Sequence, residues 1–117
     1  MDRPKLRLLL VEDSEDDAFL LLRALELGGY SVSHRRVLTL PKFEDALDSE
    51  EWDAVIADYS LPGQNGLDFL AAFHRRKVDV PFLLISGSVG EERAVEAMRA
   101  GAHAYIMKDN LARLVPA

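Results

Sequence analysis

The feature that most constrains the fold of this chain is a fivefold alternation of two kinds of segment. Apolar runs of strand length alternate with segments of helical periodicity along the 117 residues. This alternation is typical of α/β domains, in which helices connect the parallel strands of one sheet. The length is close to the commonest size of a single domain, so we predict one domain built around one sheet.

The predicted strands are short and largely apolar. The first is a nearly continuous run of leucine and valine, which indicates a strand that is covered on both faces. The second alternates only weakly. The five predicted strands are residues 6–11, 31–37, 54–57, 80–85 and 104–107.

Residues typical of helix ends separate these strands. Ser14 stands three residues before Asp17, as in a capping box, and Gly28-Gly29 follows the first predicted helix. Pro41 fits the first turn of the second helix, and the turn-rich residues 61–66 precede the third. The fourth is predicted over residues 90–100. The side chains predicted to face the core are Phe19, Leu22, Leu25, Phe43, Ala46, Leu47, Leu67, Leu70 and Phe73.

Composition excludes several classes of protein. The chain has no cysteine, so disulfides and thiolate metal sites are impossible. Its net charge of −6 disfavours nucleic acid as a direct partner. The apolar runs are too short to span a membrane, and the first residues lack a signal-peptide pattern. We therefore predict a cytoplasmic location without membrane association.

Polar side chains interrupt the pattern where the predicted strands end. Glu12 and Asp13 follow the first strand, Asp58 the third, Ser86 the fourth and Lys108 the fifth. The carboxyl ends of parallel strands lie at one edge of a sheet. In a doubly wound sheet of strand order 2-1-3-4-5, the first and third strands are neighbours at the switch point, where ligands bind. We therefore expect these side chains to converge.

The convergence of these residue types indicates a particular chemistry. Three carboxylates at such short range are costly unless a cation holds them, and oxygen ligands with incomplete coordination suit Mg²⁺. Lys108 and Ser86 would supply a positive charge and a hydroxyl donor to the oxygens of a phosphoryl group. Each residue alone fits an ordinary loop or surface position. Five of them at one sheet edge favour a phosphoryl site.

The chain resembles the receiver domains of two-component response regulators over nearly its whole length. That family has an acidic pair after strand one, Asp after strand three, Thr or Ser after strand four and Lys after strand five, the pattern described above. The loop Leu61-Pro62-Gly63 with Asn65-Gly66 also matches the family's L-P-x-x-x-G loop. The resemblance implies a flavodoxin-like α/β fold with five parallel strands in the order 2-1-3-4-5.

The resemblance also implies a role for each site residue. Asp58 would be the nucleophile that becomes an aspartyl-phosphate, helped by Ser86 and Lys108. Asp13 would bind Mg²⁺ directly together with Asp58, Glu12 would act largely through water, and the Ser60 carbonyl would complete the protein ligands. Tyr105 matches the switch aromatic of the family. An amphipathic tyrosine on an edge strand is the other interpretation of that residue.

Two features depart from the family pattern. Asp109 follows Lys108, where the family usually has proline, so the isomer of the Lys108–Asp109 bond is left open. Only residues 111–117 remain for a fifth helix after the fifth strand and Lys108-Asp109-Asn110, too few for a full one, with Leu114 and Val115 as part of an apolar stripe that is cut short. We therefore expect residues 1–117 to be a receiver domain with a truncated fifth helix, from the N-terminal part of a longer signalling protein.

The resemblance implies partners and leaves two rivals open. The phosphoryl donor would be a histidine kinase or a phosphotransfer protein, and a downstream output domain or protein would detect changes in the fourth helix and fifth strand. A homodimer would form through that face or through the uncovered site of helix five. The rivals are a pseudo-receiver that only binds a partner and a haloacid dehalogenase-like phosphatase. The latter places a second Asp where Ser60 stands, so turnover should be poor.

Overall fold

The computed structural model describes residues 3–61, 63–76, 78–87 and 91–113, and five parallel strands form its main sheet. In chain order the strands are β1 (Lys5–Val11), β2 (Ser31–Val37), β3 (Ala54–Asp58), β4 (Phe82–Ser86) and β5 (Ala104–Met107). Their spatial order is β2-β1-β3-β4-β5. This confirms the predicted α/β fold with strand order 2-1-3-4-5.

Four α-helices connect the strands: α1 (Glu15–Leu27), α2 (Leu40–Ser49), α3 (Gly66–Arg75) and α4 (Glu91–Arg99). The Ser14 hydroxyl caps α1 by accepting a bond from the Asp17 amide at 3.2 Å. A 3₁₀ segment, Lys108–Arg113, follows β5. The predicted apolar stripe at Leu114 and Val115 lies outside the described residues.

The sheet separates two hydrophobic cores because its central strands β1, β3 and β4 are largely apolar on both faces. Along β1, Leu9 and Val11 face the core formed with α2, α3 and part of α4, whereas Leu8 and Leu10 face the core formed with α1. The alternation of side chains along a strand explains this division. The loops at the carboxyl end of the sheet therefore start from strands that both cores hold in place.

The predicted core residues were wrong in part for α1 and incomplete for α3. Phe19 is 62 % exposed, and the buried stripe of α1 consists of Ala18, Leu21 and Leu25. Because residues 18–22 are all apolar, helical periodicity alone does not decide which of them faces inward. In α3 the sequence analysis missed Phe69, which is fully buried.

The region predicted as a turn-rich loop contains a small antiparallel hairpin. Ser60–Leu61 pairs with Gln64–Asn65, and Gly63 adopts a φ of +75° between them. A positive φ favours glycine because it has no Cβ. The hairpin connects the end of β3 directly to the N-cap of α3.

No helix among the described residues is both long enough and apolar enough to cross a membrane.

Gly66 provides a test of the packing beneath the carboxyl end of β3. A Cβ at this buried position would overlap Leu84 Cδ2 and lie 2.7 Å from the backbone oxygen of Asp58. We expect Gly66→Ala to lower the free energy of unfolding by roughly 2–3 kcal/mol, the cost of overpacking a tight core. Urea unfolding followed by circular dichroism would measure this change.

Gly87→Ala is the matched control, because its Cβ would meet Lys108 Cδ at an ordinary 3.8 Å. We expect this variant to unfold within about 1 kcal/mol of the parent protein. Equal stability of the two variants would contradict the described packing around Gly66.

Candidate functional site

The site residues lie together at the carboxyl edge of the sheet. Glu12 directly follows β1, Asp58 and Ser86 end β3 and β4, and Lys108 directly follows β5. Glu12, Asp58 and Ser86 are the buried polar side chains of the described part of the chain. Because burying polar groups is costly without partners, their concentration at one edge marks this region as the candidate site.

Three carboxylates form an all-oxygen cluster at this edge. Glu12, Asp13 and Asp58 each offer an oxygen, and these oxygens lie within 4.8 Å of one another. The backbone amides orient two of them: Ser14 N donates to Glu12 Oε1, and Ser60 N donates to Asp58 Oδ1, both at 3.1 Å. Hard oxygen donors at this spacing fit a hard divalent cation such as Mg²⁺.

Lys108 places its ammonium group among carboxylates. Its Nζ lies 2.8 Å from Asp58 Oδ2, 2.6 Å from Asp17 Oδ2 and 3.0 Å from Glu12 Oε2. Burial alone would lower the pKa of Lys108, but hydrogen bonds and charge from these three carboxylates outweigh it and raise the pKa above its ordinary value. Lys108 is therefore a permanent cation next to Asp58.

Asp17 is the contact that the sequence analysis missed. The sequence analysis noted it only as the residue three positions after Ser14, as in a capping box. In the structure its amide does bond Ser14, but its carboxylate extends to Lys108. The acidic first turn of α1 also contains Glu15 and Asp16. The sequence could not show which of these acids faces the site without the orientation of the helix.

Glu12 is fully buried, and its pKa is raised from 4.5 to about 7. Burial is the largest cause and the Asp58 charge acts in the same direction, whereas the Ser14 amide and the Lys108 ammonium act in the opposite one. The net result is that the cluster holds a proton tightly when no cation neutralises it.

The remaining predicted site residues lie close by. Ser60 is exposed on the first strand of the hairpin, and Ser86 pairs in register with Met107 next to Lys108. The described backbone contains no cis peptide bond, so the Lys108–Asp109 bond is trans.

Tyr105 is half-buried and is part of an aromatic contact that reaches α4. Its ring packs edge-on against Tyr59 at 6.1 Å, and its buried hydroxyl has no hydrogen-bond partner among the described residues. Tyr59 directly follows Asp58, and its hydroxyl bonds Glu96 at 3.3 Å while Arg93 lies 5.0 Å above its ring. Burial and Glu96 raise the pKa of Tyr59. The sequence analysis did not identify this link from β3 to α4.

The pKa of Glu12 predicts how stability depends on pH without divalent cations. Because the folded state holds this proton more tightly than the unfolded state, its contribution is fully present below about pH 4.5 and is lost as pH rises through about 7. The loss should be of the order of 3 kcal/mol. Urea unfolding in EDTA at several pH values would measure it.

Glu12→Gln is the matched variant, because glutamine keeps the shape and does not titrate. The difference in unfolding free energy between this variant and the parent protein should change across that pH range. A pH-independent difference would contradict the assignment of the raised pKa to Glu12.

The chain matches a known protein family and several known proteins over most of its length. Residues 8–117 match the family described as "Response regulator receiver domain". The sensory/regulatory protein RpfC of Xanthomonas campestris pv. campestris (strain 8004) is 33 % identical over 111 residues, which cover 92 % of this chain and 15 % of RpfC. The response regulator SaeR of Staphylococcus aureus (strain USA300) is 30 % identical over 101 residues, or 86 % of this chain and 43 % of SaeR.

A solved structure agrees with these matches. A response regulator protein from Burkholderia pseudomallei, crystallised with a phosphorylated aspartic acid, a calcium ion and citrate, superposes with a TM-score of 0.77. The two are 25 % identical, and the match covers 94 % of this chain and 64 % of that one. The chain spans less than half the length of RpfC and SaeR, so it corresponds to one part of each. It belongs to the response regulator receiver domain family of two-component signalling.

Proposed function

We propose that this chain accepts a phosphoryl group on Asp58 in a Mg²⁺-dependent reaction and transmits the change as a phosphorelay signal. The observation that carries this proposal is the position of Asp58, which is buried, belongs to the all-oxygen cluster and lies 2.8 Å from the Lys108 ammonium. The phosphorylated aspartic acid and calcium ion in the Burkholderia relative support it.

In the proposed reaction, a carboxylate oxygen of Asp58 attacks the phosphorus of the donor in line with the leaving group. The new bond joins this oxygen to phosphorus. The bond from phosphorus to the donor atom breaks, and the donor atom keeps the electron pair and gains a proton. Lys108 and Ser86 would stabilise the transferring oxygens, Lys108 by charge and Ser86 by its hydroxyl.

The metal would be held by Asp13 and Asp58 directly, by Glu12 through water and by the backbone carbonyl of Ser60. When bound, Mg²⁺ supplies positive charge to the carboxylates and the phosphoryl oxygens. The all-oxygen donor set supports this assignment, because hard oxygen donors suit Mg²⁺. The raised pKa of Glu12 also supports it, because a bound cation would offset the cost of burying that carboxylate in its charged form.

The proposed readout is a change in the surface formed by α4 and β5. A phosphoryl group adds negative charge beside Ser86, and the half-buried Tyr105 packs between the site and α4 through its contact with Tyr59. The donor would be a histidine kinase or phosphotransfer protein in the cytoplasm, and an output domain or protein would detect the new surface. The domain would catalyse only its own phosphorylation and dephosphorylation.

Beryllofluoride, a mimic of the aspartyl-phosphate, tests this assignment. It should bind only when Mg²⁺ is present, because the metal offsets the charge of the cluster. Asp58→Asn should abolish binding, and Asp13→Ala should weaken it by more than about tenfold. Isothermal titration calorimetry would measure the affinities. Asp45→Asn, on the exposed surface of α2, is the control for a general loss of charge.

Acetyl phosphate with peptide mapping by mass spectrometry tests the covalent step. One phosphoryl group should be found on the peptide that contains Asp58, and none on that peptide in Asp58→Asn. Tight beryllofluoride binding by Asp58→Asn would contradict the assignment of Asp58 as the phosphoryl acceptor. Lack of both reactions in the parent protein would favour a pseudo-receiver, and repeated turnover of a phosphate ester would favour the phosphatase.

A further inference from the structure

We propose that Asp17 is the resting-state partner of Lys108 and that a phosphoryl group on Asp58 displaces it. Asp17 would then be a positioning residue that competes for the ammonium and connects the state of the site to the start of α1. The displacement of Asp17 rests on the proposed phosphorylation of Asp58. The contact between Asp17 and Lys108 concerns the resting protein alone.

The argument starts from the donors of Lys108. An ammonium group has three N–H donors; Lys108 Nζ donates to Asp17 and Asp58, and Glu12 Oε2 lies 3.0 Å away as an ion-pair partner. The contact with Asp17, at 2.6 Å, is the shortest of the three. A phosphoryl oxygen that approaches Lys108 therefore competes with Asp17 and Asp58 for its N–H donors.

The exposed fraction of each side chain indicates which carboxylate is displaced from Lys108. The side chains of Glu12 and Asp58 are 0 % and 6 % exposed, whereas that of Asp17 is 38 % exposed. A carboxylate released into a buried site loses its partner without gaining water, which is costly. Asp17 can exchange the ammonium for water at little cost, so it is the partner that leaves.

The local structure of α1 leaves the Asp17 carboxylate available for this role. A full capping box would bond it to the amide of Ser14. That amide instead donates to Glu12 Oε1, while the Asp17 amide bonds the Ser14 hydroxyl. The cap of α1 therefore survives when the Asp17 carboxylate moves.

The first experiment tests the resting contact, with neither metal nor phosphoryl mimic present. The ¹⁵Nζ resonance of Lys108, assigned with Lys108→Arg, should shift in Asp17→Asn. It should stay unchanged in Asp16→Asn, which removes the same charge from the exposed neighbouring position. Equal spectra for both variants would overturn the contact itself, whatever the function of Asp58.

The second experiment tests competition. In the presence of Mg²⁺, Asp17→Asn should bind beryllofluoride about threefold to tenfold more tightly than the parent protein, the range of a partly exposed ion pair. Asp16→Asn should change the affinity less than about twofold, because salt screens an exposed charge. Asp17→Glu, which retains the carboxylate, should bind close to the parent value.

A readout at α1 separates competition from a general effect of charge. On addition of beryllofluoride and Mg²⁺, the ¹³Cγ resonance of Asp17 should move in the parent protein, and that of Asp16 should not. Weaker binding by Asp17→Asn would mean that Asp17 braces Lys108 in the phosphorylated state, and it would overturn the proposal. Absence of beryllofluoride binding in the parent protein would instead contradict the proposed function, while the ¹⁵Nζ result would still stand.

Discussion

The interaction on which the site depends is the burial of one ammonium group among several carboxylates. Lys108 is surrounded by Glu12, Asp17 and Asp58, and Asp13 lies in the same cluster. Removing such charges from water costs several kcal/mol for each ion unless partners compensate. One lysine does not neutralise four acids, so the edge stays negative. The pKa of Glu12 is raised chiefly because this carboxylate is buried, and the Asp58 charge contributes in the same direction.

The sheet lowers the free-energy cost of this arrangement, because packing on both of its faces fixes the backbone that carries these side chains. Strands β1 and β3 are neighbours, and their ends bring Glu12 and Asp58 together without requiring either side chain to reach far. The Gly66 amide donates to the Tyr59 carbonyl at 2.8 Å, so the chain is fixed immediately after Asp58. The conformational entropy of positioning the carboxylate is thus lost during folding.

The apolar runs, together with the residues typical of helix ends and turns, predicted the strands closely. Residues 31–37 and 104–107 coincide with β2 and β5. The end of β5 lies at the change from the apolar Met107 to the charged Lys108. The convergence of Glu12, Asp58 and Lys108 also follows from strand order. The site could be anticipated as far as it depends on positions directly after strands.

The contacts made by helix side chains could not be predicted in the same way. The buried face of α1 was partly misassigned because five consecutive residues, 18–22, are apolar, and the orientation of Asp17 depends on that face. Likewise, the contact of Tyr59 with Glu96 joins residues 37 positions apart. Such contacts depend on how a helix is rotated on the sheet, and no local pattern encodes that rotation.

The division of the protein into two cores has a further consequence for the carboxyl edge. Lys108 and Asp17 connect Asp58 to α1 on one side of the sheet. On the other side Tyr59, the residue after Asp58, bonds Glu96 of α4. Any ligand that alters the charge of Asp58 therefore acts where the contacts toward α1 and the contacts toward α4 both begin. By thermodynamic reciprocity, a molecule whose affinity for α1 or α4 depends on the state of Asp58 would in turn shift that state.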